Sequence, residues 1–459
     1  MSRRRARTIS DNPGPSVGVV RFAARLAAVM CTIGAACAAE NVLIVITPHW
    51  EGIKREYERA FSDWHRQHFG TPVTIDWRDV GGTSDLLRYV DSRYAANPNG
   101  GDLDVAWGGG IDPYFELQKK RRLVRYDPPK ETLSRIPTDV GGVPMFDPTH
   151  EWFGTAVSTF GICANKRVIQ IMKLPKVERW SDLCRPELLG WVGSGDLRKT
   201  GSIHMSFELI LQAYGWERGW QIITRMCANT RNFHGTAPTT VKEASLGNVA
   251  YAMAIDFYAL MQVGREGPAN MAYIQPPEVI AMNPDCVGIF RGARHRQLAE
   301  RFVNYLLSDE GQSLWMIPRG QPGGARDFNI ERMCVVPALY QKLRGITVVP
   351  VNPFELPVAF RYDPKKGGDR WQIVNDLFGA CIIDVHRELV AAWRVMIARS
   401  QWDEPSAVAE LARLPLTEDE VMKLSAGKWK DPLMRARKSI EWQVWARDKF
   451  RRIAATTTK

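Results

Sequence analysis

Four short segments rich in glycine and in Ser or Thr hydroxyls are the strongest candidates for chemistry in this sequence. They are Gly81-Gly82-Thr83-Ser84, Gly108-Gly109-Gly110, the stretch 196–202 with Thr200, Gly201 and Ser202, and the stretch 235–240 with Thr236 and Thr239. Hydroxyls and helix N-termini donate hydrogen bonds to anions, and glycine lets a ligand approach the backbone. The pattern predicts a site for a phosphate, phosphonate or carboxylate group. For any one of these residues the alternative is simpler, since Thr83 or Ser84 would also serve to cap its helix.

The elements that must position these segments alternate between strands and helices. Apolar runs of strand length cover 41–47, 73–77 and 104–107, and a loop follows each of them; a helical pattern follows the first two loops. A second block repeats this order, with strands over 190–195 and 249–255. The alternation predicts an α/β fold with parallel sheets, in which ligands bind at the carboxyl ends of the strands.

Familiar catalytic motifs are absent from the sequence. It contains no HExxH, no GxSxG and no paired CxxC, and Lys199-Thr200 does not follow the G-K-[ST] order of a phosphate-binding loop. We therefore expect a protein that is not an enzyme, with no cofactor and no metal. No apolar run reaches the roughly 18 to 20 residues that span a bilayer, which excludes a polytopic membrane protein.

The net charge of +11 is confined to the two ends of the chain. Residues 1–39 carry +5 and residues 426–459 carry +7, so the stretch 40–425 carries −1. A nucleic-acid binder usually spreads basic charge over its binding face. We therefore expect no nucleic-acid partner.

The N-terminus has the pattern of an export signal. An arginine-rich start precedes the apolar stretch 26–39, which ends in Ala36-Cys37-Ala38, a small-residue cleavage pattern. We expect a signal peptide over 1–39 and a periplasmic protein without a lipid anchor; a membrane anchor or a true start at Met30 is the alternative. Export would leave six cysteines in an oxidising compartment, where they could form up to three disulfides or remain buried thiols.

Four stretches in one order resemble the periplasmic solute-binding proteins of ABC transporters, in the two-lobed class of iron(III), polyamine and phosphonate binders. They are the opening strand with Thr47-Pro48-His49 and the 81–84 loop, then 152–165, then 200–215, and finally 298–312. The resemblance covers roughly 40–345. It implies a type II two-lobed fold with parallel-sheet lobes and a hinge: lobe 1 over 40–158, lobe 2 over 159–278 and a return to lobe 1 over 279–345.

The resemblance also implies where the solute would bind. Its ligand loops fall on thirteen residues of this chain: Pro48, His49, Thr83, Ser84, Gly109 and Asp112 in lobe 1, and Thr200, Gly201, Ser202, Thr236, Thr239, Asp256 and Tyr258 in lobe 2. Ferric members usually have two adjacent tyrosines where this chain has Phe257-Tyr258, which argues against ferric binding. Under the same resemblance, the disulfides to look for are Cys184–Cys227 and Cys286–Cys334.

Three points stay open at this stage. Asp112 and Asp256 would either hold a cationic amine or structure their loops, and Trp107 would either wall the cleft or belong to the core. The stretch 346–459 is expected to be a mostly helical extension packed on the body. Its basic helix over 432–453 would either pack there or meet an anionic membrane or the transporter.

The main hypothesis is a monomeric periplasmic receptor that captures a small polar solute and delivers it to an ABC permease of the inner membrane. A sensor that presents ligand to a membrane signalling protein is the first alternative. A ferric-ion or polyamine receptor is another, and an exported enzyme on the same fold is the last.

Overall fold

Two large β-sheets, each packed against helices, organise this chain, and a third sheet consists of two short strands alone. The computed structural model describes residues 41–455 except 348, 350, 357–359, 428 and 430, so the expected leader lies outside the described residues. Numbered along the chain, the strands are β1 (Val42–Ile46), β2 (Thr74–Arg78), β3 (Val105–Trp107), β4 (Leu123–Val124), β5 (Asp139–Val140), β6 (Val143–Pro144), β7 (Phe153–Ser158), β8 (Phe160–Asn165), β9 (Val192–Gly195), β10 (Thr230–His234), β11 (Tyr251–Ile255), β12 (Met271–Ile274) and β13 (Asn283–Phe290).

Helices fill the connections between the strands and form the end of the chain. They are α1 (Glu51–Phe69), α2 (Thr83–Ala96), α3 (Asp112–Lys119), α4 (Lys130–Leu133), α5 (Lys166–Ile171), α6 (Gly201–Tyr214), α7 (Trp216–Ala228), α8 (Ala237–Ser245), α9 (Asp256–Glu266), α10 (Arg296–Leu307), α11 (Asp309–Leu314), α12 (Pro337–Lys342), α13 (Pro364–Phe378), α14 (His386–Ala398), α15 (Pro405–Ala412), α16 (Glu418–Ala426) and α17 (Pro432–Ala455). None of the helices that the structure describes is both long and apolar enough to cross a membrane.

Lobe 1 is built on a six-stranded sheet in the order β2-β1-β3-β13-β4, with β7 also paired to β13. Strands β2, β1 and β3 are parallel, and β13 runs antiparallel to its neighbours. Every residue of β3, β7 and β13 is buried, so the centre of this sheet is covered on both faces.

Lobe 2 has a five-stranded sheet in the order β10-β9-β11-β8-β12. Strands β10, β9 and β11 are parallel to one another, and β8 pairs antiparallel with both β11 and β12. The two sheets confirm the predicted two-lobed α/β architecture. Each sheet is mixed rather than wholly parallel. The antiparallel pairings of β8, β12 and β13 lie next to the two points where the chain changes lobe.

The chain changes lobe between β7 and β8 at Thr159, and again between β12 and β13. These two adjacent passages form the waist of the molecule. At the first passage Asp256 accepts a hydrogen bond from the Thr159 amide (2.8 Å), and the Asp256 amide donates to Thr159 O (3.0 Å). This pairing joins the start of α9 to the waist.

The end of the chain forms a helical extension that packs mainly on lobe 2. Helices α14 and α15 lie against α7, and α17 packs on α14. In α17, Trp442, Ala446 and Phe450 are buried, whereas Leu433, Ile440 and Val444 are exposed. The basic helix therefore packs on the body and keeps one partly apolar face outside.

All six cysteines among the described residues are free and buried. The expected disulfides Cys184–Cys227 and Cys286–Cys334 are therefore not formed in this structure. The thiols of the two expected pairs contact main-chain carbonyls instead: Cys184 Sγ lies 3.4 Å from Ile222 O, and Cys334 Sγ lies 3.3 Å from Val336 O. Burial raises the pKa of Cys163 to about 12 and that of Cys184 to about 11, which makes these thiols inert.

Candidate functional site

A cavity of about 330 Å³ lies between the two lobes. Its walls come from the loops after β1, β2 and β3 in lobe 1 and after β9 and β10 in lobe 2, together with residues of the waist. This is the edge at which the sequence predicts a ligand. The volume lies at the lower end of the range of small-molecule sites.

Ten of the thirteen predicted ligand residues line this cavity: Pro48, His49, Thr83, Gly109, Asp112, Thr200, Gly201, Ser202, Thr236 and Tyr258. The residues that sequence reasoning missed include Trp50, Asp79, Lys199, Asp285, Arg332 and Trp371.

Three helices begin at the cavity wall. Helices α2, α6 and α8 start at Thr83, Gly201 and Ala237, which all line the cavity. In α2 the first backbone bond runs from the Leu86 amide to Gly82 O (3.0 Å), so the three amides before Leu86 have no acceptor within the helix. The positive dipole ends of helices from both lobes thus point to one space, an arrangement that favours a bound anion.

The two lobes touch at the rim of the cavity. A methyl group built on Gly82 of lobe 1 would lie 2.1 Å from Lys199 O of lobe 2, and one built on Gly201 would lie 2.8 Å from Thr83 Oγ1. A side chain at either position would collide with the opposite lobe. Glycine is therefore required at the rim for the lobes to approach each other as closely as they do in this structure.

Several side chains in the cavity wall keep free hydrogen-bonding capacity. Among the residues that the structure describes, the hydroxyls of Thr83, Ser202 and Tyr258 have no hydrogen-bond partner, and the Lys199 ammonium has no carboxylate within salt-bridge distance. Burial raises the pKa of Tyr258 above its usual value, so its hydroxyl stays protonated and can donate a hydrogen bond. Such groups are available to a solute.

Other polar groups of the wall are used within the protein. Thr236 Oγ1 accepts from the Thr239 amide and pairs with the Thr239 hydroxyl (2.7 Å), which caps α8. Asp79 pairs with Lys54 (2.9 Å), so its charge is compensated.

The floor of the cavity is a buried charge cluster of Arg332, Asp285 and His49. His49 Nε2 donates to Asp285 Oδ2 (2.6 Å) and Arg332 Nη1 donates to the same oxygen. Burial alone would raise the pKa of Asp285, but the charge of Arg332 and the hydrogen bonds from Arg332 and His49 outweigh it and hold that pKa well below its usual value. Both ring nitrogens of His49 are occupied, since Nδ1 accepts from Thr47 Oγ1 (2.9 Å). His49 therefore supports the floor and is not free to bind a solute through its nitrogens.

Arg332 also bridges the waist. Its Nη2 donates to Ser158 Oγ (2.9 Å), at the end of β7, and its guanidinium lies 4.4 Å from the centre of the Phe257 ring in lobe 2. Its Nε is buried without a hydrogen-bond partner among the described residues. Arg332 and Asp285 are 47 residues apart in the chain, so no local pattern could reveal them.

Three predicted ligand residues lie outside the cavity wall. Ser84 Oγ is buried without a partner in the described chain, and the Thr239 side chain serves the cap of α8. Asp256 is fully committed to the waist, where it accepts from the Thr159 amide and hydroxyl and from the Phe257 amide (2.7 Å). Burial raises the pKa of Asp256 to about 6. Of the two roles left open for Asp256, structuring its loop is the one observed.

Asp112 lines the cavity, but its carboxyl group faces a neighbour from the extension. Asp112 Oδ1 accepts from the Tyr362 hydroxyl (3.3 Å). Burial, followed by repulsion from Glu208, raises the pKa of Asp112 to about 7. Near neutral pH a carboxyl group with this pKa is only partly ionised, which makes it a weaker partner for a cationic amine.

Trp107 belongs to the core. Its side chain is fully buried, its Nε1 donates to Thr155 Oγ1 (3.1 Å), and its ring packs edge-on against His49. No group of three or more His, Cys, Asp or Glu side chains in the described part of the chain is arranged to hold a metal ion.

Comparison with known proteins gives relatives of one kind. Residues 111–322 match the family described as bacterial extracellular solute-binding protein, which confirms the resemblance seen in the sequence. The phosphoglycerate transport regulatory protein PgtC of Salmonella typhimurium is 24% identical over 399 residues, covering 85% of this chain and 92% of PgtC.

Solved structures share the fold at low sequence identity. The periplasmic binding protein AfuA of Actinobacillus pleuropneumoniae, with exogenous fructose-6-phosphate bound, aligns with a TM-score of 0.59 at 17% identity and covers 76% of this chain and 97% of its own. The periplasmic binding protein P5PA aligns at 0.60 and 18%, covering 74% and 98%. Apo ferric ion-binding protein A of Pasteurella haemolytica aligns at 0.56 and 16%, covering 74% and 96%. Each of the three alignments leaves about a quarter of this chain without a counterpart.

Proposed function

Taking the chain as a two-lobed solute-binding protein, we propose that it captures a small anionic solute, a phosphate ester or a carboxylate, between its lobes in the periplasm and delivers it to an ABC permease. The observation that supports this most directly is the meeting of three helix N-termini from two lobes at one cavity. Helices α2 and α6 offer unpaired amides, and α8, whose Thr239 amide is capped and whose Pro238 has no N–H, adds its positive dipole end. An anion that bridges the helix N-termini favours the closed state.

The free side chains of the wall support the same solute class. The hydroxyls of Thr83 and Ser202 and the Lys199 ammonium are donors without acceptors in the described chain, and an oxyanion supplies acceptors. The acidic residues of the wall do not strongly oppose an anion, because Asp285 and Asp79 are paired with cations and Asp112 is only partly ionised near neutral pH.

The names of two relatives agree with an anionic solute. PgtC is named for phosphoglycerate transport, and the AfuA structure contains fructose-6-phosphate. Both ligands carry a phosphate ester. A polyamine fits the wall less well, because the free side chains of the wall are hydrogen-bond donors and a polyamine needs acceptors. A bare ferric ion also fits less well, because positions 257 and 258 hold only one tyrosine.

Sensing is the second candidate, and one specific observation favours it. PgtC is named a regulatory protein, and its alignment covers 85% of this chain, or about 390 residues, more than the 345 that precede the extension. The similarity must therefore include part of the extension. In this function the protein would present its bound solute to a membrane signalling protein.

Calorimetric titration of the purified protein tests the proposal. The panel is inorganic phosphate, 3-phosphoglycerate, fructose 6-phosphate, spermidine and ferric citrate, and we expect saturable binding of at least one phosphate-bearing anion. At 100 times Kd such a ligand stabilises the fold by about 2.7 kcal/mol, which thermal unfolding detects.

Two controls separate the alternatives. Mass spectrometry of the bound solute after overnight incubation should find it unchanged, whereas a product would indicate an enzyme. Binding of spermidine alone would contradict the anionic solute class, as would binding of ferric citrate without binding of iron-free citrate. Uptake and gene-induction assays in a deletion strain distinguish transport from sensing.

A further inference from the structure

The extension contributes an aromatic side chain to the cavity. Trp371 of α13 is buried and forms part of the cavity wall, although it lies more than 200 positions after the start of the lobe 2 sheet. Its indole ring stacks on the His204 imidazole of α6, with 3.6 Å between the ring centres and 28° between the planes. The wall at this point is therefore shared between a lobe and the extension.

Neighbouring groups fix the orientation of Trp371. With the Asn375 amide turned so that its nitrogen donates to His204 Nδ1 (2.7 Å), its oxygen accepts from Trp371 Nε1 (3.2 Å). Burial lowers the pKa of His204 to about 3, so its ring stays neutral and accepts this bond. Because the indole N–H is already occupied, Trp371 offers the cavity carbon surface and no hydrogen-bond donor.

The helix that carries Trp371 is firmly attached. The adjacent Arg370 forms a fully buried ion pair with Glu208 of α6, with Nη2 2.8 Å from Oε1. Asp363 at the start of α13 exchanges two hydrogen bonds with Gln212 of the same lobe 2 helix (2.8 and 3.0 Å). Trp371 is thus a rigid part of the wall.

Further apolar side chains line the same cavity, among them Trp50, Phe160, Met205 and Phe257. A bare oxyanion would satisfy the helix N-termini and leave this apolar surface uncovered. An apolar part of the solute that covered this surface would add a hydrophobic contribution to the binding free energy, which a bare oxyanion does not supply.

We infer that the extension is part of the solute site and that the solute joins an anionic group to a flat or apolar part that packs against Trp371. The inference rests on the proposed function, since the anionic group is the one that the helix N-termini receive. Trp371 determines specificity: it selects among anions by what they carry beside the charge.

Three probes test this by calorimetry on the full chain: inorganic phosphate, glycerol 3-phosphate and phenyl phosphate. They share the anionic group and differ in the attached part. We expect phenyl phosphate to bind at least tenfold more tightly than glycerol 3-phosphate, which corresponds to about 1.4 kcal/mol. Trp371→Ala should remove that advantage and leave glycerol 3-phosphate within about threefold of the unmodified protein.

Two further variants protect the test against a folding defect. Trp371→Phe keeps an aromatic face and should retain most of the preference for phenyl phosphate. Trp445→Ala, in α17 and outside the cavity wall, should change neither affinity.

The outcomes are distinct for the inference and for the proposed function. If phenyl phosphate binds no more tightly than glycerol 3-phosphate, or if its advantage survives Trp371→Ala in a folded protein, the inference is wrong and the anionic receptor stands. If none of the three probes binds, while spermidine does, the inference and the proposed function are both wrong.

Discussion

Arg370 of the extension and Glu208 of lobe 2 form an ion pair in which neither side chain is exposed. The pair lies one residue from Trp371, which lines the cavity, and a second carboxylate, Glu418, completes the coordination of the guanidinium. The extension is therefore joined to the solute site by a buried charge and not merely attached to the outside of the lobe.

We expect Arg370→Met to lower the free energy of unfolding by about 3 to 5 kcal/mol, because it leaves the Glu208 carboxylate buried without a partner. Urea denaturation measures this. The double variant Arg370→Met with Glu208→Leu should recover most of the loss, since Glu418 keeps Lys366 at 2.7 Å. Lys365→Met, which breaks an exposed pair on the same helix, should have little effect. Equal losses in the two single variants would contradict a special role for the buried pair.

Gly82→Ala should weaken solute binding tenfold or more without unfolding the protein. The added methyl group would lie 2.1 Å from Lys199 O, so it prevents the lobes from closing fully. Calorimetry with the best phosphate ester of the panel measures the change. Gly264→Ala in α9 is the matched control, because its methyl group would have only the Glu331 carboxylate nearby, at 3.6 Å. Unchanged affinity in Gly82→Ala would mean that the solute is held in a more open form.

Thr83→Val and Ser202→Ala should each weaken binding of a phosphate ester by about tenfold, the usual effect of losing one hydrogen bond to a charged group. Each change removes a hydroxyl that lines the cavity and has no partner in the described chain. Ser84→Ala is the control, because Ser84 follows Thr83 in α2 and does not line the cavity. A larger effect of Ser84→Ala than of Thr83→Val would place the solute elsewhere.

Asp112 should make the fold less stable as the pH rises from about 4 to 7. Burial and Glu208 raise its pKa to about 7, whereas the unfolded chain loses this proton near 3.8. Between these values the folded state binds more protons, so stability falls with rising pH and the full loss is reached above pH 7. Asp112→Asn, which keeps an acceptor for Tyr362, should therefore raise the melting temperature at pH 8 and lose that advantage near pH 4. A difference that is independent of pH would show that Asp112 is not the titrating group.

The thiols provide a test of the corrected disulfides. All six cysteines that the structure describes are free and buried, and burial raises the pKa of Cys381 to about 12. For a chain that begins at residue 40, titration with a thiol reagent, without reductant, should find almost no reaction in the native protein and six reactive thiols in denaturant. Two reactive thiols would instead indicate the two disulfides that family resemblance suggested.

Local patterns were enough to predict the loops that form the cavity rim. The strand at 41–47 is a continuous apolar run, and Thr83 and Thr200 to Ser202 lie where a strand gives way to a helix, so their position at the sheet edge follows from the α/β order. The hydrogen-bond donors that they present at this edge also follow, because hydroxyls and free amides are properties of short segments.

Contacts between distant segments could not be predicted in this way. His49 and Asp285 are 236 residues apart, and Asp256 looked like a ligand residue until its partner at Thr159, 97 residues away, was seen. Trp371 has no pattern that separates it from the other apolar residues of an amphipathic helix. Its place in the cavity depends on how the extension folds back on lobe 2, which is a property of the whole chain.

The extension also gives the chain a third route between the lobes. The Tyr362 amide donates to Gly141 O of lobe 1 (3.1 Å), whereas Asp363, the next residue, bonds to Gln212 of lobe 2. One residue spans at most about 3.6 Å, so this link works as a short tether beside the two-stranded waist. A body hinged at the waist and tethered at a separate point has little freedom to swing. Either the axis of opening runs close to Asp363, or the hydrogen bonds at one end of the tether must break when the lobes open. The tether therefore limits the angle through which the lobes can open.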